Sequence, residues 1–149
     1  MKTGQWKQVY LYDRGQSQTT LISATSQQQP ATGDSMESAI SADGGTVIFV
    51  SKAHDLLGLP VARAWQLYRF EVSTGKISLV TKTADGQPAG GAVSSPSLSA
   101  DGKVVTFLCN ASDLAGIRQS RRLKVGSPQM RLYACRLDEL RFVPVGGHF

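Results

Sequence analysis

Ser41-Ala42-Asp43-Gly44-Gly45-Thr46-Val47-Ile48-Phe49-Val50 and Ser99-Ala100-Asp101-Gly102-Lys103-Val104-Val105-Thr106-Phe107-Leu108 carry one pattern twice, 58 residues apart. In each, Asp-Gly stands directly ahead of a short run of β-branched and apolar residues. Asp-Gly is a strong local hairpin signal, because glycine supplies the positive φ that a tight turn demands. The apolar run is too short for a helix core and has strand composition. The pair therefore reads as two copies of a turn followed by a buried strand.

The register extends outward from these stretches. Gln8-Val9-Tyr10 matches Gln66-Leu67-Tyr68, Leu21-Ile22-Ser23 matches Leu79-Val80-Thr81, and Gln29-Pro30-Ala31 matches Gln87-Pro88-Ala89. Ala53, Asp55, Leu56 and Gly58 match Ala111, Asp113, Leu114 and Gly116 at the same offset of 58. No gap is needed over roughly fifty positions, about a third of them identical. A third, partial copy starts at Arg131-Leu132-Tyr133, 65 residues after Tyr68's segment, so seven extra residues precede it. A fixed period of this size is the signature of a repeat architecture.

Each unit predicts four strands and no useful helix: Ser38 to Ser41, Gly45 to Ser51, Gln66 to Val72, and Lys76 to Thr81, with Ser73-Thr74-Gly75 turning the chain between the last two. The fold class expected is all-β, in tandem four-stranded antiparallel units. Residues 38–81 form one unit, 96–145 a second with an extended basic loop at 117–129, and 8–24 only an outer strand pair, about two and a half units in one repeat domain. A sandwich of about ten strands is the alternative.

Ser-Ala-Asp-Gly before an apolar strand, then a Tyr-bearing strand, then Ser-Thr-Gly-Lys, resembles the WD40-like (PD40, TolB-type) β-propeller repeat, over most of the chain. The resemblance implies that the Asp-Gly turn joins the first and second strands of a blade and that the Tyr-bearing strand is the third. It also implies a mostly non-enzymatic interaction surface, often in the bacterial periplasm or cell envelope. The loop ahead of the Tyr-bearing strand, often acidic in that family, here reads Gly58-Leu59-Pro60-Val61-Ala62-Arg63. Propellers close with typically 4–8 blades. Two and a half blades leave open faces and edges, which favours association.

Composition bounds the function without naming it. The chain has 149 residues, 41% hydrophobic and 18% charged, enough to bury a core. The net charge of +5 permits an anionic partner without requiring one. No apolar run approaches the ~18 residues of a membrane span. Met1 to Tyr10 has no apolar core of a signal peptide, and localisation stays unassigned. Two cysteines, Cys109 and Cys135, are too few for a disulfide framework, and an apolar strand position predicts buried thiols.

No catalytic signature is present. The histidines are His54 and His148, and no Gly-x-Ser-x-Gly elbow accompanies the serines. There is no His-Glu-x-x-His, Cys-x-x-Cys or EF-hand loop, so no metal and no cofactor are expected. Asp43, Gly44, Asp101 and Gly102 read as structural turns, and Asp55 and Asp113 as recurring caps on backbone N–H groups. Arg118, Arg121, Arg122, Lys124 and Arg131 cluster in or beside the seven-residue excess and are the candidate anion- or partner-binding residues. No aromatic residue interleaves them, which argues against single-stranded nucleic acid, so nucleic acid is only a secondary expectation. Trp6 and Trp65 precede Tyr-bearing strands and are expected to cover the blade rim.

Three functions remain open at this point. The first is a non-catalytic interaction module that binds a protein partner or another copy of itself. The second is a hydrolase or lyase on a propeller scaffold. The third is an anion or nucleic-acid binder working through the basic loop.

Overall fold

In the computed structural model, residues 5–59, 64–115 and 130–138 are described, together with the backbone of 141–144. Among them every regular element is a strand: β1 (Tyr10–Asp13), β2 (Gln18–Leu21), β3 (Ser35–Ile40), β4 (Thr46–Ser51), β5 (Gln66–Glu71), β6 (Lys76–Leu79), β7 (Val93–Leu98), β8 (Val104–Cys109), β9 (Arg131–Arg136) and β10 (Arg141–Pro144). They form a two-stranded pair, β1-β2, and two four-stranded antiparallel meanders, β3-β4-β5-β6 and β7-β8-β9-β10. Three sheets in series, rather than two facing layers, set aside the ten-strand sandwich.

The repeat explains why the sheets stack. Alternate residues of a strand point to opposite faces. On β4, Val47 and Phe49 join the core shared with β1-β2, where they meet Val9 and Ile22. Ile48 and Val50, on the other face, join the core shared with the third sheet, where they meet Val105, Phe107 and Tyr133. All six residues of β4 are buried in consequence. The rings of Phe49 and Tyr68 stack at 5.6 Å between centroids, and Phe107 and Tyr133 repeat the pair at 5.9 Å.

The inner strands start earlier than sequence pattern predicts, at Ser35 rather than Ser38 and at Val93 rather than Pro96. A bulge is the cause. The β3–β4 register shifts between Met36 and Ala39, and the β7–β8 register shifts between Ser94 and Ser97. Glu37 and Ser95, 58 residues apart, occupy the bulges at φ 50° and φ 52°. A residue inserted on one strand breaks the two-residue alternation, so the periodicity that marks a strand is lost there. Pro96 is tolerated because β7 is an edge strand.

Cys109 stands opposite Arg131, and Cys135 opposite Val105, on the neighbouring strands β8 and β9. Four residues of register separate the two thiols, roughly 13 Å along the strand at ~3.3 Å per residue. A disulfide needs Cα atoms within about 7 Å. Both cysteines are buried and free. Thiol titration of the protein unfolded without reductant is therefore expected to count two thiols per chain, and a count near zero would contradict this register.

Two glycines act by closeness of approach. A Cβ at Gly33 would sit 2.6 Å from the Ala53 Cα, and one at Gly91 would sit 2.2 Å from the Ala111 nitrogen. Each lies where the connection between sheets crosses the end of the following sheet's second strand. Gly91→Ala is expected to lower the unfolding free energy by about 1–3 kcal/mol or more through overpacking against backbone. Gly15→Ala, whose Cβ would meet only the Asp13 carboxylate at 3.3 Å, changes urea stability little.

Candidate functional site

Three polar devices recur at the 58-residue offset, and a fourth contact links one repeat to the next. At the first, the Gln66 side chain donates to the Ala89 carbonyl at 3.0 Å and accepts from the Thr81 hydroxyl at 2.7 Å, while the Leu67 N–H donates to the same hydroxyl oxygen. Gln8, Ser23, Val9 and Ala31 repeat every bond of this set. A buried amide must find partners, and here it ties the outer strands to the chain leaving for the next sheet.

The second device is the recurring aspartate. Asp55 accepts from the Thr32 N–H at 3.0 Å and from the Thr32 hydroxyl at 2.9 Å. Asp113 accepts from the Gly90 N–H at 2.9 Å. Each carboxylate sits beyond a second strand and clamps the loop that enters its own sheet.

At the Asp-Gly turns, Ser41 and Ser99 hydroxyls donate to Asp43 and Asp101 at 2.6 Å, and the Gly45 and Lys103 N–H groups donate to the same carboxylates. Hydrogen bonds from serine and backbone hold both carboxyls below the usual range. Gly44 and Gly102 take φ 72° and φ 71°. Successive turns touch, with the Ala42 N–H donating to the Ala100 carbonyl at 2.8 Å.

The fourth contact joins the bulges. The Glu37 carboxylate accepts from the Ser95 N–H at 2.7 Å, a bond from one bulge to the same place in the next.

The sheets at the two ends of the stack differ from the middle one. On β8, buried Val105, Phe107 and Cys109 alternate with half-buried Val104, Thr106 and Leu108, whereas β4 is buried throughout. On β1, Tyr10 and Tyr12 are exposed although their repeat mates Tyr68 and Phe70 are buried. Both ends thus present apolar or aromatic side chains on a pleated face.

Of the residues singled out from sequence as anion or partner binders, Arg118, Arg121, Arg122 and Lys124 lie outside the described residues. Arg131 is exposed at the start of β9, beside the phenol of Tyr133. His54 is an exposed loop residue, as is Ser112 at the same repeat position, and His148 lies outside the described residues. Among the described residues no three histidine, cysteine or acidic side chains come together as a metal cluster. A cleft of about 340 Å³ opens between β2 and the outer end of the second sheet, lined in part by Thr20, Thr25, Gln28 and Thr74, and its lining carries no charged side chain. Trp65 packs on the core with the Lys52 ammonium 4.6 Å from its ring centroid, while Trp6 is exposed. The Glu37–Ser95 bond was missed from sequence. Glu37 and Ser95 differ in identity, so the register alone gave them no signal.

Solved structures share this arrangement. The chain aligns with the tricorn protease at TM-score 0.53 and 14% identity, covering 87% of this chain and 12% of that one. It aligns with TolB from Acinetobacter baumannii at 0.53 and 16%, covering 94% and 26%. With a putative TolB from Agrobacterium tumefaciens the values are 0.52 and 18%, covering 92% and 40%. The fold is that of TolB-type β-propeller blades. Among the described residues two four-stranded blades and an outer strand pair are present, and the chain spans well under half the length of each of these proteins. No protein-family model matches the chain, and no curated protein matches its sequence. Among the described residues no helix is long and apolar enough to cross a membrane.

Burial between blades has a pH signature. Burial, helped by the Asp55 carboxylate, pushes the Tyr68 phenol up to about 12. In the unfolded chain it ionises near 10. Between these values the folded state holds a proton that the unfolded state has lost, so stability is complete below pH ~10 and falls as pH rises towards ~12. Burial also raises the Cys135 thiol to about 12, with Asp138 adding and Lys82 opposing, which contributes a loss of the same sign from the unfolded thiol's pKa, near 8.5, upward. The Tyr68→Phe protein is expected to lose on the order of 2 kcal/mol less than the parent over the alkaline limb. Urea midpoints measured from pH 8 to 12 check this, and parallel curves would show that the phenol is not the source.

Proposed function

We propose that the chain is a non-catalytic binding module of propeller blades, which takes a protein partner or another copy of itself on the open faces of the stack. One observation carries this. Side chains that the repeat buries in the middle blade are exposed at both ends: Tyr10 and Tyr12 are each 58% exposed where Tyr68 and Phe70 are each 6%, and Leu132 is 41% exposed where Leu67 is 0%. The repeat positions correspond, but among the described residues no further sheet covers the outer face of either end sheet, and β1 also lacks the inner strands that flank β5. Burying an apolar side chain of this size is worth about 1.5–3 kcal/mol, so each face retains an unspent driving force for association.

The polar groups support binding over catalysis. The recurring carboxylates of Asp43, Asp55, Asp101 and Asp113 are all occupied by backbone N–H donors. A group held as a structural acceptor in two successive repeats is a poor general base. Exposed aromatics and leucine on a rigid sheet suit a protein surface, where a few such anchors supply most of the affinity.

Sedimentation equilibrium of the purified chain is expected to show association that strengthens with concentration. Leu132→Asp and the paired Tyr10→Ser, Tyr12→Ser change should each weaken it by tenfold or more, with urea stability of the monomer nearly unchanged. A chain that stays monomeric at high concentration, and is indifferent to these substitutions, overturns self-association through these faces and leaves a different protein as the partner the module reading requires.

A further inference from the structure

The cleft of about 340 Å³ between the first two sheets lies at their outer strands, with β2 on one side and the turn into β6 on the other. No residue of β1 lines it, so it is separate from the open edge of that strand. Its floor is apolar, with Ile22 and Phe70 buried and Ile77 half-buried. Around the floor stand four exposed polar residues, Thr20, Ser26, Gln28 and Thr74. The lining carries no charge.

Two differences between the repeats set this junction apart from the next. The first is Ala24. Ala24 and Lys82 hold one backbone place, bridged to Pro30 and Pro88. At the second junction the Lys82 ammonium and the Asp138 carboxylate both act on the Cys135 thiol, and Cys135 is the repeat mate of Phe70 in the floor of the cleft. The residues in those places at the first junction are Ala24 and Ser73, so both the long side chain and the pair of charges are missing there. The second difference is Gln28. Its N–H closes a turn on the Thr25 carbonyl at 2.9 Å with φ 60°, and Gly86 closes the same turn on Thr83 at 3.0 Å with φ 77°. Glycine takes this conformation without strain and glutamine does not. The Gln28 amide has no hydrogen-bond partner among the described residues, so local structure gives no return for that strain. Strained residues of this kind concentrate at ligand sites.

We propose that this cleft binds a small uncharged sugar, which lays an apolar C–H face on Ile22 and Phe70 and shares hydrogen bonds with Gln28, Thr20 and Thr74. The site goes beyond the protein-binding reading and uses a different surface. The chemistry of the lining selects the class. An ionised ligand would give up its hydration to walls that offer no opposite charge. A wholly apolar ligand would cover the ring of hydroxyl and amide groups without satisfying them. Hydroxyl and amide groups both donate and accept, as sugar hydroxyls do. A concave site with an apolar floor, a few convergent polar groups and this volume falls at the small end of ligand pockets.

The test is an NMR titration of the whole isotope-labelled chain. The probes are the methyl glycosides of glucose, galactose, mannose and N-acetylglucosamine, with glucuronate as the charged comparison and cyclohexanol as the apolar one. At least one neutral glycoside should shift the Thr20, Gln28 and Thr74 amides and saturate at millimolar concentration. Ala24→Lys, which gives this junction the residue of the next one, should weaken that binding by about tenfold or more. Gln28→Gly, the residue the next repeat uses, should weaken it by about threefold or more while the urea midpoint holds or rises. The second variant keeps the test decisive should the buried lysine disturb folding. No saturable shift at these amides with any of the four glycosides overturns the site, and so does binding that both variants leave unchanged. Equal binding of glucuronate or cyclohexanol overturns the assignment to an uncharged sugar. Self-association is not a readout here, so this site and the binding-module reading fail separately.

Discussion

A single blade cannot bury both of its faces, and everything else in this structure follows from that. β4 shows the constraint most plainly. Its six residues point alternately to two sides, and all six are buried because a sheet lies on each side. A strand of the same register, β8, is buried on one side only. The apolar run in each copy is therefore not a strand with one wet face. It is the middle of a stack, and its stability is shared with whatever lies next to it.

Polar groups decide how the sheets are spaced and rotated, because apolar packing alone is not directional. The Gln66–Thr81–Ala89 set ties the outer strands to the exit of the blade, and Asp113 ties the next blade's second strand to the same exit through Gly90. Gly91 follows directly after these two attachments, and a Cβ there would strike the Ala111 nitrogen. Close approach and hydrogen bonding thus act on the same short connection. That arrangement explains why glutamine, aspartate and glycine recur together at fixed offsets while the exposed strand positions between them vary. It also leaves these polar groups committed to structure, so the surfaces available for recognition are the faces and edges rather than the clamps.

Recurrence was the most informative signal in the sequence because it separates structural roles from others. Asp55 and Asp113 could be read as caps before any coordinates, since an aspartate repeated with its surrounding apolar frame does the same local job twice. The Asp43-Gly44 and Asp101-Gly102 turns were legible for the same reason. The bulges were not. Glu37 and Ser95 share a backbone conformation but no chemistry, and non-glycine residues at positive φ leave no mark in composition. The early starts of β3 and β7 were hidden by the same feature, because a bulge cancels the alternation by which a strand is recognised.

The sequence by itself determined the unit: its length, its four strands, its turns, and which side chain of each strand belongs to a core. These are local matters, set by alternation, turn chemistry and the offset of 58. Tertiary structure alone decided which cores are completed. Tyr10 and Tyr68 are the same residue in the same register, and so are Leu67 and Leu132, yet one of each pair is buried and the other exposed. Burial is a property of the neighbour, not of the residue, and a neighbour is a fact of three dimensions. The reach of the Glu37 carboxylate to the Ser95 N–H is of the same kind, a contact between two repeats that no single repeat encodes.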